Sequence, residues 1–244
     1  MRSWIEPILA VLLFALAVWL LVISDALGAN PQPLPSMGSA ALDYPPGPPP
    51  SGAESGARRA SSLLRLLGYK MAETEAQFID RTWLRPHNSL LTGDMVVACG
   101  KWYSPSETRR KFKAVYLAVC ACETSLGDPR LGGRLVPDAF NFGCVKSGSP
   151  HTPWGEMAVG TISVGGQRWW KWPTAWTGAA ALGRLLKVGP GSRPGLYLKL
   201  IQSEDWRTLT GTYYGASVPG YQSYHKRWLR YYNLFSKRLH EAGF

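Results

Sequence analysis

Charge is scarce in this 244-residue chain: 18% of it is Asp, Glu, Lys or Arg, and acids are the scarcer sign, 16 against 27 bases. A wholly disordered chain is excluded, because 45% of the residues are apolar and the length suffices for one sizeable core. The four cysteines form no Cys-x2-Cys knuckle, and His87, His151, His225 and His240 are scattered, so no metal and no other cofactor is expected. A Gly-x-Ser-x-Gly elbow is missing, and no Cys stands in a protease context, which sets aside Ser-His-Asp and Cys-His catalysis. The segment Gly215-Ala-Ser-Val-Pro-Gly220 lacks the Lys of a phosphate-binding loop. There is no internal repeat, and no helix-turn-helix, zinc finger or aromatic RNA-binding box, so no specific nucleic-acid partner is expected.

Aromatic rings are abundant instead: 11 Trp, 11 Tyr and 7 Phe. That density exceeds what a packed core alone usually requires, and stacking on flat ligands such as sugars or bases would explain it. The basic excess is concentrated late in the chain, with 12 Lys or Arg against 4 Asp or Glu between residues 151 and 244. A basic surface gathers nucleic acid, acidic lipid or anionic bacterial wall polymers alike, so charge alone does not choose among them.

The N-terminal region argues for a compartment. Ile8 to Ile23 are sixteen consecutive apolar residues behind Arg2, with the small Ala26-Leu27-Gly28 after them. Residues 1–29 therefore read as a signal peptide or a transmembrane anchor, since the run falls between a secretory core and a span of about twenty residues. Residues 30–57 are rich in Pro and Gly, with little to bury, and form an extended spacer. The folded domain is expected over 58–244, outside the cytoplasm and secreted or held at the membrane. Such a location permits one or two disulfides among Cys99, Cys120, Cys122 and Cys144, with connectivity not readable.

Within that domain, helices are expected over 58–68, 72–82, 175–188, 196–201 and 224–239, with Pro86 and Gly93 as breaks. Ser104-Pro105-Ser106-Glu107 is a helix-start signature leading into a largely buried helix through Glu123. Alternation around Gly165-Gly166, between Trp154 and Trp172, suggests a hairpin lobe. The fold class is α+β, mostly α, with a small β-hairpin lobe.

Glu123 stands out. Phe112, Tyr116, Val119 and Cys120 lie eleven, seven, four and three positions before it, so it belongs to an apolar stripe. Desolvation there would raise its pKa, as a proton-donating carboxyl requires; the alternative is a solvent-facing residue at a frayed helix end.

Glu123-Thr-Ser-Leu-Gly127 resembles the Glu-Ser-Gly-Trp-Gly signature of the bacterial peptidoglycan-cleaving N-acetylglucosaminidases. Asn141-Phe-Gly-Cys-Val-Lys146 resembles their Asn-Leu-Phe-Gly-Ile-Lys segment, shortened by one residue, and Trp154-Gly155 sits where a Trp-x-Gly is common. Trp170-Lys-Trp-Pro-Thr174 and the loop from Tyr214 through Pro219 to Tyr221 resemble two further stretches, and the whole match spans roughly residues 104–240. The resemblance implies a lysozyme-like fold binding peptidoglycan glycan strands, with Glu123 as general acid and Asn141 and Phe142 at the groove. Trp154, Trp170, Trp172, Tyr213, Tyr214 and Tyr221 are then candidates for sugar stacking, with core packing as the other reading.

The departures matter as well. Thr161 is followed by Ile162-Ser163-Val164, without the acid the family carries there, and Glu156 is the nearest candidate base or else a charge at the hairpin edge. The resemblance thus leaves open a glucosaminidase, a lytic transglycosylase or muramidase-type enzyme on the same polymer, and an inactive wall-binding module.

Overall fold

The computed structural model describes residues 72–147, 158–189 and 193–244; the apolar run, the Pro-rich spacer and the helix expected over 58–68 lie outside the described residues. Thr74 opens the first described helix, α1 (Glu75–Ile79), through a reciprocal cap in which its hydroxyl accepts from the Gln77 amide and the Gln77 side chain accepts from the Thr74 N–H. The chain then widens into a π turn over Asp80–Leu84 and tightens over Arg85–His87.

Where the sequence suggested a break at Gly93, the structure has α2 (Gly93–Tyr103), capped by the Thr92 hydroxyl. Gly93 is the first residue of this helix, and the Ala76 carbonyl of α1 occupies the space a Cβ would need. Its glycine permits a close crossing of two helices.

A short turn over Ser106–Thr108 leads into α3 (Arg109–Thr124). Ser104 does not cap it: its hydroxyl donates to the Gly100 carbonyl at 2.6 Å and so closes α2. The hairpin pairs β1 (Gly160–Val164) with β2 (Gln167–Lys171), Val164 opposite Gln167, across a two-residue turn at Gly165 (φ 59°) and Gly166 (φ 73°). Both turn residues are left-handed, which glycine adopts without steric cost. Then come α4 (Ala175–Val188), capped by Thr174 and Thr177, α5 (Leu196–Ser203), the short α6 (Trp206–Thr210) and α7 (Tyr221–Glu241).

α3 is the axis of the core. Phe112 and every residue from Ala114 to Cys120 are inaccessible, so the helix is buried on all sides. It packs most extensively on α7 and also meets α2, α4 and α5. One buried charge accompanies it: the Lys113 ammonium pairs with Glu75 of α1.

Many of the aromatic rings close this core. Phe78, Trp83 and Phe235 form an edge-on chain tying α1 to α7, and Trp228 lies parallel to Tyr232 at 5.5 Å. Trp172, Trp228, Phe112 and Phe142 are fully buried, each worth about 1.5–3 kcal/mol of transfer free energy. Core packing therefore accounts for much of the aromatic excess. All four cysteines are free thiols. Among the described residues, no helix is long and apolar enough to cross a membrane. The class is α+β and mostly helical, as the sequence pattern indicates.

Candidate active site

The end of α3 is unusual in its backbone. Ser125 (φ 51°), Leu126 (φ 62°) and Gly127 (φ 76°) are three successive left-handed residues, and for a bulky residue such as Leu this costs about 1–2 kcal/mol. Several bonds hold the turn. Ser89 Oγ donates to the Leu126 carbonyl at 2.5 Å, and Leu90 N–H donates to that of Gly127 at 3.0 Å. The Thr124 hydroxyl reaches both the Cys120 and Phe142 carbonyls. A side chain at position 127 would press on the Phe142 ring at 3.0 Å. Glu123 therefore sits in the last turn of a helix whose end these bonds tie to residues 89–90 and 142.

Its carboxyl is half-buried. Burial pushes its pKa above the ordinary carboxylate value; the Tyr224 hydroxyl and the Cys144 thiol beside it oppose the shift, as do the charges of Arg227 and Lys146. α7 supplies Tyr224 and Arg227 three residues apart on one face. The Tyr224 hydroxyl is buried and has no hydrogen-bond partner within normal bonding distance, so it adjoins the carboxyl as a donor whose bond is still open. Tyr214 stacks on the Tyr224 ring at 4.3 Å and 18°, and the Arg227 guanidinium lies 5.9 Å from the centre of the same ring.

The loop from Asn141 to Ser147 joins this cluster to the hairpin. Trp170 N–H donates to the Val145 carbonyl and Ser147 N–H to that of Arg168, so the loop runs along β2 as a third short edge. Cys144 Sγ lies 3.5 Å from the Glu123 carbonyl oxygen. Lys146 is exposed, its ammonium 5.5 Å from the Trp169 ring centre.

The residues singled out from sequence divide into groups. Asn141 is fully buried, and its amide is spent on Val145 and Trp170: Nδ2 donates to both carbonyls at 3.0 Å, and Oδ1 accepts from Val145 N–H at 2.8 Å. It builds the loop and has no surface for a ligand. Phe142, Trp172 and Tyr221 are likewise buried, and the Tyr221 hydroxyl is bonded to the Arg207 carbonyl at 2.9 Å. These four are scaffold because their places in the core leave no open face. Trp170 and Tyr213 are half-buried, and the Tyr213 hydroxyl donates to the Gly143 carbonyl at 2.5 Å. Tyr214 is exposed beside the Glu123 cluster. Trp154 and Glu156 lie outside the described residues.

Sequence reasoning did not single out Tyr224, Arg227, Lys146 or Cys144 as site residues. Tyr224 and Arg227 share a face of a helix with an otherwise buried aromatic stripe, a polar pair at i and i+3 that could have drawn attention.

Comparison with protein-family models, curated proteins and solved structures finds no match. The assignment of a chemistry therefore rests on the site itself. Among the described residues no three His, Cys, Asp or Glu side chains are placed to hold a metal ion. What the cluster offers is a desolvated carboxyl that retains its proton to higher pH than usual, with a tyrosine hydroxyl and two cations around it. That is the equipment of a general acid.

Proposed function

We propose that the chain is a glycoside hydrolase of the lysozyme-like kind, cleaving β-1,4 bonds in the aminosugar strands of peptidoglycan as an endo-β-N-acetylglucosaminidase, with Glu123 as general acid. The observation that carries this reading is the half-buried Glu123 carboxyl with its raised pKa, at the end of the central helix and linked through the 141–147 loop to the hairpin. In this reading Glu123 enters with its proton on, the form that burial favours. It gives that proton to the leaving glycosidic oxygen as the anomeric bond breaks, and the Tyr224 hydroxyl and the two cations stabilise the carboxylate left behind. Tyr214 presents an open ring for a sugar face. The apolar segment 8–23 would deliver this domain to the outer side of the membrane and the spacer would hold it towards the wall.

A second reading needs no group beyond the carboxyl already placed at the end of α3. A lytic transglycosylase needs only one carboxyl, acting as acid and then as base, with the sugar's own 6-hydroxyl replacing water. The products separate the schemes. Hydrolysis consumes water and leaves a reducing sugar; transglycosylation leaves an anhydro sugar lighter by one water.

The test is digestion of a peptidoglycan suspension followed by mass analysis of the fragments. The wild-type chain is expected to clear the suspension, and Glu123→Gln to lower the rate by roughly 10²–10⁴-fold while still sedimenting with the wall. Equal clearing by the variant would remove Glu123 from catalysis, and wall binding without clearing by the wild type would leave a binding module.

A further inference from the structure

A groove of about 510 Å³ opens where the π turn over Asp80–Leu84 and the tight turn over Arg85–His87 meet the start of α2. Its size falls within the roughly 300–1,000 Å³ of ordinary ligand sites. Leu84 and Leu91, both buried, form the apolar part of the lining, and Asp80, Arg85, Asn88, Ser89 and Thr92 the polar part. The walls are braced. Asp80 Oδ1 accepts from the Gly93 N–H at 2.6 Å, the Thr92 hydroxyl accepts from Met95 N–H, and Ser89 Oγ accepts from Leu91 N–H at 2.9 Å. Asp80 and Arg85 bring opposite charges into this one groove without meeting: among the described residues neither is in a salt bridge. A ligand that presents an ammonium and a carboxylate can span the gap between them.

The groove shares backbone with the end of α3. Ser89 Oγ donates to the Leu126 carbonyl and Leu90 N–H to that of Gly127, so the segment that walls the groove is bonded to the turn following Glu123. Three Cα–Cα steps of about 3.8 Å place Leu126 no more than about 11 Å from Glu123. An extended chain of three or four residues, at roughly 3.3 Å each, covers that distance.

The lining selects among ligands. A sugar ring has no aromatic face to stack on, because no aromatic residue lines the groove. A phosphodiester would meet the Asp80 carboxylate, and among the described residues no three metal-binding side chains come together. A short peptide fits: its carboxylate matches the planar fork of Arg85, an amine matches Asp80, and the amides between them find the Asn88 carboxamide and the Thr92 hydroxyl. We propose that this groove binds the short peptide borne by the wall strand, Arg85 taking a peptide carboxylate and Asp80 a side-chain amine. This rests on the reading of Glu123 as the acid that cuts the glycan, and it makes the preferred substrate a peptide-bearing strand.

Titration of the full chain in detergent with a synthetic N-acetylated tetrapeptide, carrying one lysine amine and a free terminal carboxylate, tests this directly. The peptide is expected to shift the Ser89 and Gly93 amide resonances. It should bind roughly fivefold or more tightly than the same peptide with its amine acetylated or its carboxyl amidated. Asp80→Asn, which keeps an oxygen for the Gly93 N–H, should abolish the preference for the free amine alone, and Arg85→Gln the preference for the free carboxylate alone. Arg134→Gln, outside the groove, leaves both preferences in place. Thermal melts check that the substitutions spare the fold, and the comparison of masked peptides on the wild type stands whatever the melts show. Equal affinity for the masked forms, no binding of any, or preferences that survive both substitutions would each overturn the assignment. So would the same amide shifts from a peptide-free glycan oligosaccharide, which would make the groove a sugar subsite. Cleavage of peptide-free strands as fast as peptide-bearing ones would sink the groove's part in substrate choice and spare the hydrolase reading. Peptide binding with both preferences but no clearing of the wall would do the reverse.

Discussion

At the scale of single residues, the chemistry depends on how two groups share one proton's electrostatics. Burial favours the neutral form of Glu123, and the Tyr224 hydroxyl favours the charged one. Removing the hydroxyl leaves burial less opposed, so the pKa of Glu123 in Tyr224→Phe must rise further above its ordinary value. The acid form then survives to higher pH, and the alkaline limb of a pH–rate profile should move upward. The plateau rate should fall by roughly tenfold, since a donor to the nascent carboxylate is lost, a bond to a charged group being worth about 1.5–3 kcal/mol. Profiles of the two proteins on one soluble oligosaccharide check both effects, and a limb that stays in place or moves down would mean the hydroxyl does not reach the carboxyl. Glu123 itself was legible in the sequence, because an acid in line with Phe112, Tyr116 and Val119 breaks the apolar pattern. Tyr224 was not. It sits 101 positions later, and only the packing of α7 on α3 brings it to the carboxyl.

At the scale of elements, backbone contact decides where the site-bearing loop lies. Gly178 of α4 stands against the Phe140 carbonyl, which occupies the space a methyl would need, and Phe140 immediately precedes the Asn141 brace. A carbonyl in the main chain cannot swing aside as a side-chain tip can. Gly178→Ala is accordingly expected to destabilise the fold by about 2–3 kcal/mol through overpacking, read as a lower denaturation midpoint at unchanged slope. A neutral melt would show that the loop yields freely. The same reasoning explains which elements could be read beforehand. α4 was bounded correctly at 175–188 because the Thr174 cap and Gly189 mark its ends locally, and Gly165-Gly166 placed the hairpin turn for the same kind of reason. α2 was missed because Gly93 was read as a break, and Gly100 is a second glycine within the same stretch. In three dimensions they let α2 lie against Ala76 and against the stem of Lys113. Phe142 and Tyr221 were read as ligand-facing because a motif gives order along the chain and not depth within the core.

For the whole molecule, the excess of 27 bases over 16 acids is displayed most openly on α7, where Lys226, Arg227, Arg230, Lys237 and Arg238 are exposed and Glu241 is the sole acid. Such a face acts at a distance, and the reach of its field contracts from about 30 Å at 0.01 M salt to about 3 Å at 1 M. The Glu123 cluster is half-buried and acts at contact, where salt screens much less. Approach to an anionic wall and cleavage of a bond should therefore separate as ionic strength rises. Sedimentation of the chain with wall fragments is expected to weaken at least severalfold between 0.01 and about 0.5 M salt, and clearing should fall in parallel. Cleavage of a short, uncharged oligosaccharide, which needs no long-range attraction, should change by less than about twofold over the same range. If attachment to the wall proved indifferent to salt, exposed rings such as Tyr214 and Trp102 would be holding the polymer, and the basic face would have no part in reaching it.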